Sequence, residues 1–459
     1  MADKKEYVYE KKTVYEKAGE AIVAEAYEYA KDYVKFLDAS KTEREAVAEG
    51  VKIAEAAGYR PYTFGQEMKA GDKFYYNNRG KNIFLFRIGS EDINNGIRIT
   101  AAHIDSPRLD LKQVPVYEEG GMCFLKTHYY GGIRKYQWLA MPLALHGVVI
   151  KQDGTSVNVT IGENETDPVM YITDLLPHLA AKEVAKNVRE AFPAERLNIL
   201  VGSKPLDGED KDAIKMGVLE YLWNNYGITE EDFLSAELCI VPAGKARDVG
   251  FDRSMISAYG HDDRVCAYPS LTAIIDADEA KHTTMCLLVD KEETGSDGVT
   301  GMQSLLIVDL IREIAKALGG NEAAVRANSK CLSSDVTAVY DPNFSDVYEY
   351  RNSSLLSCGV SLCKYTGSGG KSGTSDASAE LVGWVRRCLN EAGVVWQTSE
   401  LGKTDIGGGG TVAKFLAKHN IDTVDIGVGV LSMHAPYELI SKVDLYEAYR
   451  AFKAFYNFD

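Results

Sequence analysis

Apolar residues recur along this chain with two different periods, and the switches between them outline its elements. In segments 20–36 and 43–57, Ala, Val, Tyr and Phe return on one side at helical spacing, which predicts two packing helices. Segments 82–88 and 96–104 predict strands, the second rising out of NNG and ending in AAHIDSPRLD. Residues 138–151, 156–161 and 238–241 predict further strands, and 180–192 and 212–226 predict helices. The stretch YGHDDRVCAYPSLTAIIDA opens another helix with Asp262 and Asp263 at its head. Segment 287–298, LLVDKEETGSDG, is an apolar run closing on two adjacent carboxylates and a glycine. It predicts a buried strand whose tip presents Glu292 and Glu293 to different sides.

Beyond that strand, 301–318 is helical, 325–338 ends near SSDVTAVYDP, and KSGTSDASAELVGWVRRCLNEAG supplies another helix. The final part alternates strand and helix through 394–398, GGGGTVAKFLAKHN, 422–431 and 443–456. Such alternation predicts an α/β fold, a mixed and largely parallel sheet covered by helices on both faces.

A length of 459 residues exceeds what one hydrophobic core usually organises, so two domains are expected. Residues 108–255 carry their own strands, separated by Gly, Asp and Pro turns, and lie between candidate site residues. They read as an inserted β-rich domain between a first segment of the main domain, 1–107, and a second, 256–459. The 45% hydrophobic and 26% charged content is that of an ordinary globular chain. A formal charge of -16 argues against nucleic acid or an anionic membrane as partner and favours cation binding. The eight cysteines show no C-x-x-C pair or zinc-finger spacing, so buried, reduced thiols are expected, as in a cytosol. The opening MADKKEYVYEKK has no apolar signal-peptide core, and no apolar run is long enough to span a bilayer, which predicts a cytoplasmic protein.

The candidate chemistry collects at the ends of the predicted strands. His103, Asp262, Glu292, Glu293, Asp335 and His434 each follow an apolar strand or head a helix, the positions an open α/β sheet gathers at one edge. Two histidines and three carboxylates can hold two divalent cations if one carboxylate bridges them, leaving Glu292 to take a proton from the water between. Burial should raise the pKa of Glu292 towards neutrality, and Asp105 is placed to support the second nitrogen of His103. Each feature has a plainer reading: an exposed acidic turn, a pair of helix caps, or a surface histidine.

Taken together, the segments AHIDSP, HDD, KEETG, SSDVTA and SMHAPYE resemble the aspartyl aminopeptidase family of co-catalytic metallopeptidases, over most of the chain. The resemblance implies a di-zinc exopeptidase-like fold with the insert acting in dimerisation. It also implies hydrolysis of the N-terminal residue of peptides through a bridging water on two divalent cations, with preference for Asp or Glu. Zinc is the implied metal, with manganese or cobalt also suited to such ligands. One metal would take His103, Asp262 and Asp335, and the other Asp262, Glu293 and His434. Glu292 would be the general base, with Asp105 and Asp263 in support. LLPHLA resembles a segment whose histidine reaches a neighbouring subunit's site, which makes His178 a catalytic donor in trans. GGKSGTSDAS resembles the lining of the first side-chain pocket, which points to Lys371 for substrate binding. Peptides with a free N-terminus and further copies of the chain, as a dodecamer built from dimers, are the implied partners.

One segment departs from the pattern. Where the family has Y-G-G-G-x-W-x-x-W-F-D-R, this chain has HYYGGIRKYQWLAMPLALHG, without the D-R pair. Neutral or broad aminopeptidase specificity therefore stands as an alternative. A catalytically silent assembly protein or a nucleotide-binding protein is the rival from another class. For the latter, YTGSGGKSG has Tyr365 where a P-loop requires glycine. No G-x-S-x-G elbow supports a serine hydrolase.

Overall fold

Nine strands form the central sheet, and the apolar runs of the sequence lie at its middle. The structure, a computed structural model, describes residues 7–278 and 281–459. The first six residues of the MADKKEYVYEKK segment lie outside the described residues. The strand order is Arg60–Pro61, Lys73–Asn78, Asn82–Arg87, Thr283–Val289, Ile97–His103, Lys330–Ser333, Asp422–Gly427, Val360–Cys363 and Trp396–Thr398. The middle four, Thr283–Val289 to Asp422–Gly427, run parallel. Antiparallel neighbours flank them on either side. This is the mixed α/β sheet the alternation predicts.

Parallel strands covered on both faces must be apolar on both. Ile97, Ile99 and Ala101 face one core with helix Leu306–Ala317, while Ala102 faces the other with helices Glu20–Ala39, His261–Asp276 and Lys442–Asn457. Having left the central sheet at His103, the chain builds a second sheet of six antiparallel strands between Arg108 and Pro242. This sheet has its own apolar cluster around Leu109, Trp138 and Ile240. A third sheet, of five strands, joins Met255–Ala258 to Glu438–Ser441 and Gly429–Leu431 beside the carboxyl edge of the first. All eight cysteines are free and buried. Among the described residues no helix is long and apolar enough to cross a membrane.

Several elements differ from the pattern-based expectation. The helix expected over 180–192 is two single turns, Ala181–Val184 and Val188–Ala191, because Leu179, Val184 and Val188 stay exposed and bury no apolar stripe. The strand expected from 138 begins at Leu143: Lys135–Trp138 is a 3-10 turn, and Pro142 cannot donate to a ladder. Helix 301–318 starts only at Leu306. Segment 325–338 divides into helix Glu322–Asn328 and strand Lys330–Ser333. Residues 422–431 split after Gly427, and Gly429–Leu431 joins the five-stranded sheet.

A buried polar cluster joins the six-stranded sheet to helix Glu43–Ala56. His146 Nδ1 lies 2.8 Å from Glu45 Oε1, and its Nε2 lies 2.9 Å from Glu163 Oε1, which Lys41 meets at 2.6 Å. Only a protonated imidazole can donate from both nitrogens. Burial opposes that charge, but the two hydrogen bonds outweigh it and raise the His146 pKa above the ordinary value. Both glutamates are held below theirs: burial raises each, but His146 with Thr42 at Glu45, and His146 with Lys41 at Glu163, outweigh it. The histidine's contribution is therefore complete below about pH 6.5 and is lost as pH rises through its raised pKa, while the glutamates' contribution holds above about pH 4.3 and fades on acidification. His146→Gln should cost about 2 to 3 kcal/mol of stability near pH 5.5, the difference from wild type shrinking towards pH 9. Urea unfolding across that range checks this, and a difference that grows with pH would reject it.

Candidate metal centre

The parallel strands end on one edge, and the residues just beyond them make most of the site. His103 is the last residue of its strand and pairs in register with Val289, so the chain leaving Val289 turns into the same space. Lys291 adopts a left-handed φ of 72°, and Glu292–Thr294 is a 3-10 turn, not the extended strand tip the alternation predicts. The turn keeps both glutamates on the His103 side. Asp335 follows strand Lys330–Ser333, and its carbonyl packs so closely on Gly427 of the next strand that a Cβ there has no room. His434 follows Gly429–Leu431, and Asp262 enters from the head of helix His261–Asp276.

These six side chains converge. One ligand atom each from His103, Asp262 and Asp335 lie within 4.8 Å of one another, and the same holds for Asp262, Glu293 and His434. Asp262 belongs to both groups. Its Oδ1 is 3.0 Å from His103 Nε2, and its Oδ2 is 3.1 Å from His434 Nε2, which lies 3.6 Å from Glu293 Oε1. Yet Asp262 Oδ1 and Glu293 Oε1 are buried and accept no hydrogen bond. Glu292 stands aside from both groups, its Oε2 4.0 Å from His103 Nε2.

Burial sets the electrostatics. It pushes the carboxyls of Glu293, Asp335 and the neighbouring Asp263 well above their ordinary values, and that of Glu292 up to about 7. It also disfavours charge on Asp262, but the two imidazoles outweigh it and hold that carboxyl well below the usual range. The imidazoles respond in kind: burial opposes their charge, while Asp105 and Asp262 raise His103 and Asp262 lifts His434 to about 10. Clustered buried acids with oxygens that accept no hydrogen bond, together with two histidines, form a donor set that fits divalent cations.

Supporting groups fix the cluster from behind. Asp105 accepts the Glu292 and Glu293 N–H groups at 3.1 and 3.2 Å, and its Oδ1 lies 3.4 Å from His103 Nδ1. Glu438 was not evident from the sequence as a site residue, although it closes the SMHAPYE segment. Its buried carboxylate accepts the Asp262 N–H at 2.9 Å and the His434 N–H at 2.7 Å, and burial pushes its pKa up to about 8.

A cavity of about 310 Å³ opens in front, lined by His103, Glu292, Asp335, Tyr365, Leu401 and Met433 among others. Lys371 is not on its wall. It lies on the adjoining glycine-rich loop, 3.0 Å from Asp376 and 3.8 Å from the centre of the Tyr365 ring. His178 is exposed in the 3-10 turn Pro177–Leu179 and does not reach the cavity of its own chain.

Comparison with known proteins agrees with this chemistry. The profile of a family described as aminopeptidase I zinc metalloprotease (M18) matches residues 36–456. A Clostridium acetobutylicum protein named probable M18 family aminopeptidase 1 is 49% identical over 457 residues, 98% of each chain. The crystal structure of an M18 family aminopeptidase from Thermotoga maritima superposes with a TM-score of 0.94 at 43% identity, over 98% of this chain and 100% of its own. A Saccharomyces cerevisiae relative described as the mApe1 dodecamer shares the fold, with a TM-score of 0.76 at 21% identity over 93% of this chain and 96% of its own.

Replacing Glu438 by Ala would strip both buried amides of their acceptor, an expected loss of about 2 to 4 kcal/mol. Urea unfolding in a chelator measures this apart from any metal contribution. A loss under about 1 kcal/mol would mean the amides find other partners.

Proposed function

This chain belongs to the aminopeptidase I zinc metalloprotease (M18) family and is an aminopeptidase, and we propose that it works through two divalent cations sharing Asp262. The observation that carries the reading is the position of that carboxylate, one oxygen beside each histidine, within two three-residue groups. His103 and Asp335 complete one set and Glu293 and His434 the other. Zinc is the proposed metal. When bound, the cations supply a water of lowered pKa and polarise the scissile carbonyl.

The side chains do the rest. Glu292, beside but outside both sets, takes the proton of the attacking water and returns it to the leaving amine. Asp105 and Asp263 support the cluster from behind. The acids around the cavity also suit the free α-amine that marks the first residue of a peptide, which limits cleavage to one residue at a time.

An acidic first residue is the proposed preference, with Lys371, on the adjoining loop that Tyr365 joins to the cavity, as the cation that would meet it. Residues 108–255 are the proposed dimerisation domain. His178 lies among the exposed Leu175, Leu176 and Leu179, an apolar edge suited to burial on a second copy, where its imidazole would serve that copy's site. A dodecamer built from dimers is the proposed assembly.

Glu292→Gln should keep its metal content by elemental analysis and lose activity by about 10²-fold or more, and full activity would reject its role as base. Asp262→Ala should release metal, and unchanged metal content would contradict the shared carboxylate. Assayed with aminoacyl substrates, blocking the α-amine should abolish cleavage. On the same panel Lys371→Ala should lower kcat/KM for Asp and Glu about tenfold while sparing Leu. Faster cleavage of Leu than of Asp by the wild type would assign neutral specificity instead.

A further inference from the structure

The HYYGGI segment ends a strand of the six-stranded sheet, yet it touches the cluster at three points. Tyr130, the last residue of strand Met122–Tyr130, is buried, and its hydroxyl donates to Asp105 Oδ2 at 2.7 Å. That carboxylate also receives the amides of Glu292 and Glu293 and stands behind His103. The guanidinium of Arg108 lies 4.1 Å from the centre of the Tyr130 ring, holding the phenol from the far face. Gly131 has φ of 72°, and a Cβ there would lie 3.1 Å from Glu293 Oε2 and 3.2 Å from Glu293 Cβ. The carbonyl of Gly132 is 2.8 Å from His434 Nδ1. A carbonyl can only accept, so Nδ1 carries a proton and the ring is turned with Nε2 towards Asp262 and Glu293.

We infer that residues 130–132, where a strand of the six-stranded sheet ends and turns, are a positioning element for the metal centre, Tyr130 acting through Asp105 and Gly132 through His434. The inference rests on the metal centre proposed above and goes beyond it. The histidines of both proposed sets are aligned by a strand that belongs to another sheet, so the central sheet does not complete the centre alone. None of the three residues touches substrate or carries a proton in the reaction. Removing such a support from behind a metal ligand typically weakens metal binding about 10- to 100-fold.

The test uses the full-length enzyme, with zinc affinity read by competition against a chromophoric chelator and turnover read with an aminoacyl p-nitroanilide at saturating zinc. Tyr130→Phe keeps the ring and deletes the donor. It should weaken zinc binding by about tenfold or more and lower kcat, with KM unchanged within about twofold. A purely structural role would instead lower the folded fraction and leave zinc affinity and kcat per folded molecule as they were, which would overturn the inference. Tyr129→Phe, the exposed neighbour, is the control expected to change neither. Should Tyr130→Phe fail to fold, Gly131→Ala tests the Glu293 side independently. It should weaken one of two zinc equivalents by about tenfold, and two equivalents of wild-type affinity would overturn the inference. A wild-type protein that binds no zinc would reject the metal centre itself.

Discussion

One carboxylate between two imidazoles sets the terms for everything around it. Asp262 is 3% exposed, and each of its oxygens has a histidine nitrogen about 3 Å away. An uncompensated buried carboxylate costs several kcal/mol, against a total stability of about 5 to 15 kcal/mol for a folded domain. Here Asp262, Asp263, Glu293 and Asp335 are crowded together with only two imidazoles to offset them. Two carboxyls could stay protonated, but Glu293 Oε1 would still be buried without a hydrogen bond. Divalent charge answers both demands at once, which is why a metal is the economical reading of the cluster.

The topology meets this demand at the carboxyl edge of the parallel strands. Register brings His103 level with Val289, so the turn carrying Glu292 and Glu293 arrives beside the histidine without any long loop. Asp262 arrives by a different route. The chain leaves the central sheet at His103, crosses the six-stranded sheet, and re-enters through Met255–Ala258 into the helix that Asp262 heads. The second sheet is tied to helix Glu43–Ala56 at the ion cluster around His146 and Glu163, and to the site at the Tyr130 contact with Asp105. Movement of one sheet against the other would therefore be felt at the site.

What the sequence disclosed follows from which forces are local. The central strands are legible because burial on both faces demands unbroken apolar runs such as TTMCLLV. The site acids and histidines are legible because they interrupt those runs at the ends. The 3-10 turn at Glu292 was hidden, since its cause is a left-handed Lys291, a conformation no residue type announces. Glu438 and Tyr130 were hidden for another reason: a glutamate on a strand and a tyrosine in an apolar sheet have ordinary structural readings, and only convergence reveals what they hold. Segment 180–192 misled because its apolar spacing is helical while Leu179, Val184 and Val188 bury nothing, so propensity without burial gave only single turns.

Recognition of the first side chain is the part of the chemistry least bound to this scaffold. With a net charge of -16 the protein attracts no acidic substrate at long range, so any such preference has to be made within a few ångströms. The nearby cations are already engaged: Lys364 and Lys371 both pair with Asp376, at 2.6 and 3.0 Å. An incoming carboxylate would compete with Asp376 instead of meeting a free charge, and all three groups are substantially exposed. Exchange of one exposed carboxylate for another is worth little, on the order of 1 kcal/mol. On the proposed mechanism the α-amine and scissile carbonyl, common to every peptide, would instead meet buried groups, where charge interactions are strong. The proposed arrangement would separate the two tasks: the buried edge of the parallel sheet would carry the reaction, and the exposed glycine-rich loop could alter which residue is preferred without disturbing it.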